Sequence, residues 1–324
     1  MIPPVAYTRV TSVNEAVPAL AAPGARPSAG GTDLLGCLRD NVFEVKTLVS
    51  LGRIEALRGI DDTAGGGLRI GALTTIADVA AHPAVRERYR ALAEAAASVA
   101  SPQLRNQGTL GGNLCQRPRC WFYRGGYDCA RKGGDTCYAV TGDNRYHCLF
   151  GGSTCLIVHP SDTATALSAL GATIGIAGPR GERAVPIEDF FVLPEVDVPR
   201  EDVLGPGELV TDVRLPAAAP GTRTTYRKVR TRGAWDFALA AVAASLRVEA
   251  GRVRDARPGL GAAALARARG REGPRRPEAR REDDAARGRG RRARRVSPRP
   301  QRLQGAHVQG VGRGGAGRLR VTRS

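Results

Sequence analysis

The sequence lacks a long apolar run and a visible targeting segment. No stretch of 18 or more apolar residues occurs in its 324 residues, which excludes a transmembrane helix. Residues 1–6 have no charged segment followed by an apolar one, so no signal peptide is apparent. We therefore expect a cytoplasmic protein without a membrane span, or a periplasmic one if it is exported with a signal-bearing partner.

Several familiar cysteine patterns are also missing. The seven cysteines include no C-x2-C pair, which disfavours the compact ferredoxin pattern and the zinc ribbon. Six of them lie in the segment from Cys115 to Cys155. Much of this segment is also rich in aromatic residues. An odd number of cysteines concentrated in this way fits metal ligation better than a secreted disulfide framework.

Lysine is absent from the C-terminal end, and acidic residues are scarce there. Residues 257–324 contain 20 Arg and 5 acidic residues, so most of the net charge of +18 lies in this tail. The tail also lacks Ile, Phe, Tyr, Trp, Met, Cys and Asn, so it cannot build a packed core, and we expect it to be disordered. Two interpretations are open: a frameshift near codon 257 in a GC-rich gene, or a basic arm that binds an anionic partner.

The first 256 residues alternate short helices and strands without a repeat, which predicts an α+β protein with a boundary near 215–222. Strands are predicted over 43–49, 68–73 and 172–177. Helices are predicted from Ile76, over 83–99, and over 161–169 with Ser161 as the N-cap. Residues 194–206 are rich in proline and acidic residues and predict a surface connection. Periodicity does not decide between helix and strand for 237–248.

Two small-residue loops lie about eighty residues apart, Ala29 to Leu34 and Thr109 to Asn113. Neither loop has the spacing of the dinucleotide fingerprint or of the P-loop. Paired glycines allow backbone N–H groups to converge on an anion, and the Thr and Asn side chains can donate further hydrogen bonds. Each loop alone is more typical of a tight turn, but the pair favours a phosphate-bearing ligand.

These loops, together with Ile70-Gly71-Ala72-Leu73-Thr74-Thr75 and Pro160-Ser161-Asp162, resemble the flavin subunit of the xanthine dehydrogenase (molybdenum hydroxylase) family. The resemblance implies a two-lobed FAD-binding domain over 1–216, the start of a smaller α+β domain over 222–256, and a strand over 237–248. It also implies that both loops hold the FAD pyrophosphate, that Ser161 and Asp162 lie near the flavin, and that Lys228 and Asp236 approach it. The implied FAD-binding residues are Ala29, Gly30, Gly31, Thr32, Asp33, Leu34, Thr74, Thr109, Gly111, Gly112, Asn113, Ser161, Asp162 and Lys228.

The cysteine spacing C-x4-C-x8-C-x7-C-x10-C-x6-C supplies enough thiolates for a [4Fe–4S] cluster. On spacing alone, a zinc site and a loop of buried cysteines stay open. Residues 117–124, 132–137 and 142–147 resemble the [4Fe–4S]-containing aldehyde oxidoreductase branch of the family, which implies a cluster-binding insert over 115–155. The implied ligands are Cys120, Cys129, Cys137 and Cys155.

The other cysteines and the histidines of this region are interpreted as structural. Cys37, Cys115 and Cys148 are expected to be packing thiols, and His147 and His159 to pack or to form hydrogen bonds. The basic residues Arg117, Arg119, Arg124, Arg131 and Lys132 leave two alternatives open: a surface that docks a partner, or a set of charges that offsets a thiolate-bound cluster.

The resemblance implies an oxidoreductase subunit that passes electrons through FAD and contributes no catalytic acid or base. It would work in a heterotrimer with a molybdopterin-binding large subunit and a [2Fe–2S] small subunit, and deliver electrons to an external acceptor. The alternative from another class is a zinc-stabilised, non-redox binding module with a nucleic-acid-binding arm, which predicts strongly salt-dependent binding.

Overall fold

The structure is a computed structural model that describes residues 2–149, 152 and 154–261. Its strands form three sheets within these residues. Residues 262–324, most of the predicted tail, lie outside the described residues, so the frameshift and basic-arm interpretations stay predictions.

The N-terminal sheet is parallel, with the order β1-β3-β2. Its strands are β1 (Ala6–Arg9), β2 (Ala25–Ser28) and β3 (Thr47–Ser50), connected by helices α1 (Val13–Ala21) and α2 (Leu34–Arg39). Strand β3 begins four residues later than the predicted start at residue 43. Val49, Ala16 and Leu20 are buried between this sheet and α1, so the helix covers the sheet through its small and branched apolar side chains.

The central sheet is antiparallel, with the order β4-β5-β8-β6-β7. Its strands are β4 (Ile60–Asp62), β5 (Leu68–Gly71), β6 (Thr173–Gly178), β7 (Gly181–Pro186) and β8 (Leu209–Leu215). The helices of this region are α3 (Ile76–Ala81), α4 (Pro83–Arg88), α5 (Arg90–Ser98), α6 (Pro102–Gln107), α7 (Leu110–Leu114), α9 (Asp162–Leu170) and α10 (Ile187–Phe190). Ser161 caps α9 through a 3.0 Å hydrogen bond from the Ala164 amide, as predicted.

The single helix predicted over 83–99 is wrong, because the chain breaks at Tyr89 into α4 and α5. Tyr89 has φ −132° and ψ 51°, outside the helical region. Its side chain is 2% exposed, and its hydroxyl donates to the Pro216 carbonyl at 2.7 Å. A contact with a residue far along the chain therefore overrides the local helical preference.

The C-terminal sheet is an antiparallel meander of β9 (Thr222–Val229), β10 (Ala240–Glu249) and β11 (Arg252–Gly261). Strand β10 confirms the strand implied over 237–248. Strand β11 continues to Gly261, past the residue where the tail was predicted to begin, because it stays in register with β10. A Cβ at Gly259 would lie 2.0 Å from the Thr165 carbonyl oxygen, so this sheet approaches α9 closely.

The cysteine-rich insert has little regular structure in its described part. It contains helix α8 (Trp121–Arg124) and a single 3-10 turn, Ala130–Lys132. Phe122, Tyr127 and Tyr138 contact one another, with ring centroids 5.0 to 6.1 Å apart. Contacts between aromatic rings, and not regular secondary structure, therefore hold the insert together. No helix of the described residues is long and apolar enough to cross a membrane.

Candidate functional site

The two glycine motifs line one cavity of about 1110 Å³. Residues 29–34 of the first motif and Thr109, Gly111 and Gly112 of the second face this space. Surveyed small-molecule pockets reach about 1,000 Å³, so this cavity has room for a ligand as large as a dinucleotide. The cavity thus brings together the two glycine motifs, which were predicted to act as a pair.

The first motif is a loop, and its backbone amides are available to a ligand. Gly31 has φ +72°, a conformation that favours glycine, and a Cβ at Gly30 would lie 1.8 Å from the Gln107 carbonyl oxygen. The amide N–H groups of Gly30, Gly31 and Thr32 donate to no other described residue. Exposed N–H groups of this kind can converge on the oxygens of a phosphate.

The second motif was predicted to be a loop, but it forms the beginning of helix α7. Thr109 is the N-cap, and its hydroxyl accepts a hydrogen bond from the Gly112 amide at 3.2 Å. The amides of Leu110 and Gly111 donate to the carbonyl groups of Thr74 and Ala72, both at 2.9 Å. These amides are therefore engaged within the chain, so this motif shapes the cavity wall while the first offers free donors.

Asp33 ties the first glycine loop to the cysteine-rich insert. Its carboxylate accepts hydrogen bonds from the Arg117 amide at 2.8 Å and from Arg124 Nη2 at 2.7 Å. Arg119 Nη2 lies 2.9 Å from the same carboxylate. This acidic side chain, implied by the resemblance to bind FAD, is thus directed at the chain's own arginines.

Glu201 anchors the insert from another direction. Its carboxylate, 4% exposed, pairs with the Arg131 guanidinium, which is 1% exposed, and with that of Arg117. The segment 194–206 was predicted to be a surface connection, and this is wrong at Glu201, which is buried. The sequence carried no signal for this burial, because an acidic residue among prolines is typical of an exposed loop.

The guanidinium groups of Arg117, Arg124 and Arg131 pair with acidic residues of the same chain, and the partner-docking alternative stays a prediction. Lys132 likewise donates to the Gly125 carbonyl at 2.7 Å. The other alternative, that these charges offset a cluster, stays a prediction.

Five of the implied FAD residues lie outside the cavity lining, namely Thr74, Asn113, Ser161, Asp162 and Lys228. Asn113 Oδ1 accepts hydrogen bonds from the hydroxyls of Ser161 at 2.6 Å and Thr163 at 2.7 Å. Thr74 Oγ1 donates to the Gly59 carbonyl at 3.0 Å. Asn113 thus connects α7 to α9, and Thr74 connects the segment after β5 to the residue before β4, while the contact of all five side chains with FAD stays a prediction.

Asp162, Tyr226 and Lys228 form a buried cluster between α9 and β9. The carboxylate of Asp162 accepts from Tyr226 OH at 2.5 Å and from Lys228 Nζ at 2.8 Å. Burial and the neighbouring Asp162 charge raise the pKa of Tyr226 well above its usual range, so the phenol stays a donor. Tyr226 was missed from the sequence because its partner is 64 residues away.

The thiols of the insert lie in the same part of the chain, but they are not arranged as ligands of one metal centre. Burial raises the pKa of Cys120. Cys120 packs against the apolar cluster that contains Cys129, and Cys129 pairs with Thr136, the residue before Cys137. The Cys137 charge also contributes to the raised pKa values of Cys148 and Cys155, after burial. No group of three or more His, Cys, Asp or Glu side chains is arranged to hold a metal ion among the described residues.

His147 and His159 have the packing and hydrogen-bonding contacts expected of them. His147 Nε2 lies 3.2 Å from Cys120 Sγ, and its ring contacts Trp121. His159 Nε2 lies 3.0 Å from the Leu114 carbonyl oxygen, and its ring lies 4.5 Å from that of Phe191. Burial lowers the pKa of His159 to about 4, so the ring is neutral at pH 7 and donates through Nε2.

The sequence is similar to flavin-carrying subunits of known enzymes. The family described as the FAD binding domain in molybdopterin dehydrogenase matches residues 3–218. The chain is 40% identical over 253 residues to the aldehyde oxidoreductase FAD-binding subunit PaoB of Escherichia coli (strain K12), covering 76% of this chain and 79% of that subunit. It is 32% identical over 247 residues to the carbon monoxide dehydrogenase medium chain of Hydrogenophaga pseudoflava, covering 75% and 70%.

Solved structures share the fold. Carbon monoxide dehydrogenase from Hydrogenophaga pseudoflava, in a form that lacks the Mo-pyranopterin moiety of its cofactor, matches with a TM-score of 0.62 at 30% identity, over 81% of this chain and 76% of that chain. Reconstituted CO dehydrogenase from Oligotropha carboxidovorans matches with a TM-score of 0.63 at 26% identity, with the same coverage. The predicted α+β fold with an FAD-binding domain is confirmed.

Proposed function

The chain belongs to the family of FAD binding domains in molybdopterin dehydrogenases, a family of oxidoreductase subunits, and we propose that it is the electron-transfer flavoprotein subunit of a heterotrimeric, aldehyde-oxidising molybdenum enzyme. The observation that carries the proposal is the first glycine loop, whose free amides face a cavity large enough for FAD. The identity of 40% to an aldehyde oxidoreductase FAD-binding subunit supports the aldehyde branch.

The residues of the cavity fit a dinucleotide with a central pyrophosphate. The amides of Gly30, Gly31 and Thr32 would hold phosphate oxygens, and Gly112 is the exposed glycine of the second motif. Bound FAD supplies the ability to accept electrons singly and to deliver them in pairs. This chain's own residues hold the cofactor, orient it and shield it from water, and none of them is assigned as a catalytic acid or base.

We also propose a [4Fe–4S] cluster in the insert, with Cys120, Cys129, Cys137 and Cys155 as ligands. Thiolates are the ligands that iron–sulfur clusters use. Cys120 packs against the apolar cluster that contains Cys129, and Cys129 and Cys155 are both buried. The Cys148 amide donates to the carbonyl of Leu156, the residue after Cys155, so the choice among these five cysteines needs a direct test.

The partners follow from the same assignment. A large subunit with molybdopterin and a small subunit with [2Fe–2S] clusters would bring electrons to this chain, and an external acceptor would remove them. The relatives include an FAD-binding subunit and a medium chain, which are names for parts of larger assemblies and support this proposal. A cytoplasmic location remains our expectation.

The test is a cofactor analysis of the full-length chain, coexpressed with its genomic neighbours and purified without oxygen. We expect one FAD, about four iron and about four acid-labile sulfide per chain, in a complex of three different subunits. FAD without iron would remove the cluster from the proposal and keep the flavin subunit. Zinc in place of iron and flavin would contradict the proposal and favour the binding-module alternative, which the relatives do not support.

A further inference from the structure

Arg26 faces the cavity of the glycine motifs with a guanidinium that no acidic residue of the described chain neutralises. It lies in strand β2, which leads directly into the first glycine loop, and it lines the same cavity as that loop. Within the described residues, its one hydrogen bond goes to the carbonyl of its neighbour Ala25 at 3.3 Å. Arg117 and Arg131 also line the cavity, but both pair with Glu201. Arg26 thus retains its charge for a ligand.

The ring of Phe43 holds this guanidinium against the cavity wall. The guanidinium carbon of Arg26 lies 5.9 Å from the ring centroid of Phe43, within the range of a cation–π contact. The guanidinium carbon of Arg117 lies 5.2 Å from the same centroid, and the Arg117 amide donates to Asp33 at 2.8 Å. Phe43 itself packs against two clusters of buried apolar side chains. Arg26 is therefore fixed to the same wall as the loop residue Asp33, by contacts that leave most of its N–H groups for a ligand.

The electrostatic setting of Arg26 favours an anion in the cavity. Partial burial lowers the pKa of Arg26, and the charge of Arg117 lowers it further. Both effects arise because the positive charge has lost some of its water and faces a second cation. A bound anion would offset both effects. The residue is still exposed, so a ligand in the cavity can reach it.

The first glycine loop supplies hydrogen bonds for a phosphate but no positive charge. Its free amides, those of Gly30, Gly31 and Thr32, are neutral donors. The loop ends on the acidic Asp33, whose charge is taken up by the guanidinium of Arg124 at 2.7 Å. The pyrophosphate of FAD is anionic, so it needs a further cation beside these amides. Arginine suits this role because two of its N–H groups can bind two phosphate oxygens in parallel.

We propose that Arg26 is a specificity-determining residue that pairs with the pyrophosphate of FAD, and this inference rests on the proposed function. Its guanidinium donates to the phosphate oxygens and supplies the positive charge that the loop amides lack. A flavin without a pyrophosphate, such as riboflavin, gains nothing from this contact. The ADP half of FAD therefore decides which flavin the cavity selects.

The experiment measures the dissociation constants of FAD and ADP for the full-length chain after removal of its flavin. FAD binding is followed by flavin fluorescence, and ADP binding by its displacement of FAD. In Arg26→Gln we expect both dissociation constants to rise about tenfold or more, a change of the size that the loss of a charge-assisted hydrogen bond causes. Arg26→Lys keeps the charge but loses the guanidinium geometry, so it should give an intermediate rise. If Arg26→Gln does not fold by circular dichroism, Arg26→Lys takes its place under the same criteria.

The salt dependence of FAD binding separates a charge contact from an effect on the fold. Wild-type affinity should fall as the NaCl concentration rises, because salt screens the contact, and this dependence should be weaker in Arg26→Gln. Arg9→Gln is the matched control. Arg9 lies in strand β1 of the same sheet and contacts the Tyr7 ring at 5.6 Å, but it does not line the cavity. The control should keep both dissociation constants within about twofold of wild type.

The outcomes separate this inference from the proposed function. Unchanged FAD and ADP binding in Arg26→Gln would overturn the inference and leave the flavin subunit intact. Weaker FAD binding with unchanged ADP binding would also overturn it, because Arg26 would then act on the flavin half. Weaker FAD binding with an unchanged salt dependence would do the same, because the effect would then come from the fold. A wild-type chain that binds neither FAD nor ADP would overturn the inference together with the proposed function.

Discussion

Lys228 Nζ lies 2.8 Å from Asp162 Oδ2, and the two side chains are only 4% and 6% exposed. Asp162 is the first residue of α9, and Lys228 is near the end of β9, 66 positions later. Tyr226 donates to the other carboxylate oxygen, and Lys228 also donates to the Ser98 carbonyl at 3.2 Å. This ion pair therefore joins the C-terminal sheet to helix α9.

Removal of the cation from this pair should strongly destabilise the chain. Lys228→Met leaves the Asp162 carboxylate buried without its counter-charge, which typically costs about 3–5 kcal/mol. Urea unfolding followed by circular dichroism measures the change. The matched control is Lys46→Met at an exposed lysine, which we expect to change the free energy of unfolding by less than about 0.5 kcal/mol. Equal midpoints for the two variants would show that the buried pair does not stabilise the fold.

The packing of Gly30 predicts that a single methyl group disrupts FAD binding. In Gly30→Ala, the new Cβ would lie 1.8 Å from a backbone oxygen, that of Gln107, so the loop must move. We expect the FAD dissociation constant to rise about tenfold or more, since a few misplaced hydrogen bonds suffice for that change. Gly65→Ala is the control, because no atom lies within 4 Å of a Cβ there. Wild-type flavin content in Gly30→Ala would place the pyrophosphate elsewhere.

The parts of the fold that the sequence predicted are those decided by local signals. Ser161 before an apolar segment correctly marks the start of α9, because an N-cap needs only the residues of the next turn. Pairing of the two glycine motifs in one cavity was also predictable, from the order of the motifs in the family. The helical nature of the second motif was missed because two adjacent glycines are unfavourable in a helix, and here the Thr109 cap and the contacts with Thr74 and Ala72 compensate.

Three other features that escaped prediction depend on partners distant in sequence. Tyr89 interrupts a helix because of a carbonyl 127 residues away. Glu201 is buried because two arginines of the insert pair with it. Asp33 is directed to the insert and not to its own helix for the same reason. Composition and periodicity carry no information on such contacts, so only the folded chain reveals them.

The buried His159 ring should make the free energy of unfolding fall on mild acidification. Burial lowers its pKa from the ordinary 6.5 to about 4 in the folded chain. Between these values the unfolded chain binds a proton that the folded chain does not, so stability falls as the pH falls from 6.5 to about 4. The total loss is about 3 kcal/mol at most. His159→Gln can still donate to the Leu114 carbonyl and does not titrate, so this part of the pH dependence should disappear.

The measurement is chemical unfolding of iron-free chains at several pH values between 7 and 4. The difference between wild type and His159→Gln isolates the contribution of this ring from that of other groups. Identical pH profiles for wild type and His159→Gln would mean that the ring binds its proton equally well in the folded and the unfolded chain.

Loss of the Glu201 charge should destabilise the cysteine-rich insert locally. Glu201→Gln leaves the Arg131 guanidinium, 1% exposed, without a charged partner, and such a loss costs about 3–5 kcal/mol. We expect faster hydrogen exchange in peptides from residues 115–149, measured by mass spectrometry, because the insert loses one of its two anchors. Glu188→Gln at an exposed position is the control and should leave this exchange unchanged. Unchanged protection in Glu201→Gln would show that Asp33 alone holds the insert.

The five insert cysteines outside Cys115 allow a direct test of the ligand set. Serine at Cys120, Cys129, Cys137 or Cys155 should each reduce iron well below about four per chain, since a [4Fe–4S] cluster needs four thiolates. Cys148→Ser should keep the iron, although the amide of this residue donates to the carbonyl of Leu156, the residue after Cys155. Cys37→Ser is the control at a buried thiol of helix α2 that contacts the insert. Loss of iron in Cys148→Ser, with iron retained in one of the other four variants, would exchange that residue for Cys148 in the ligand set.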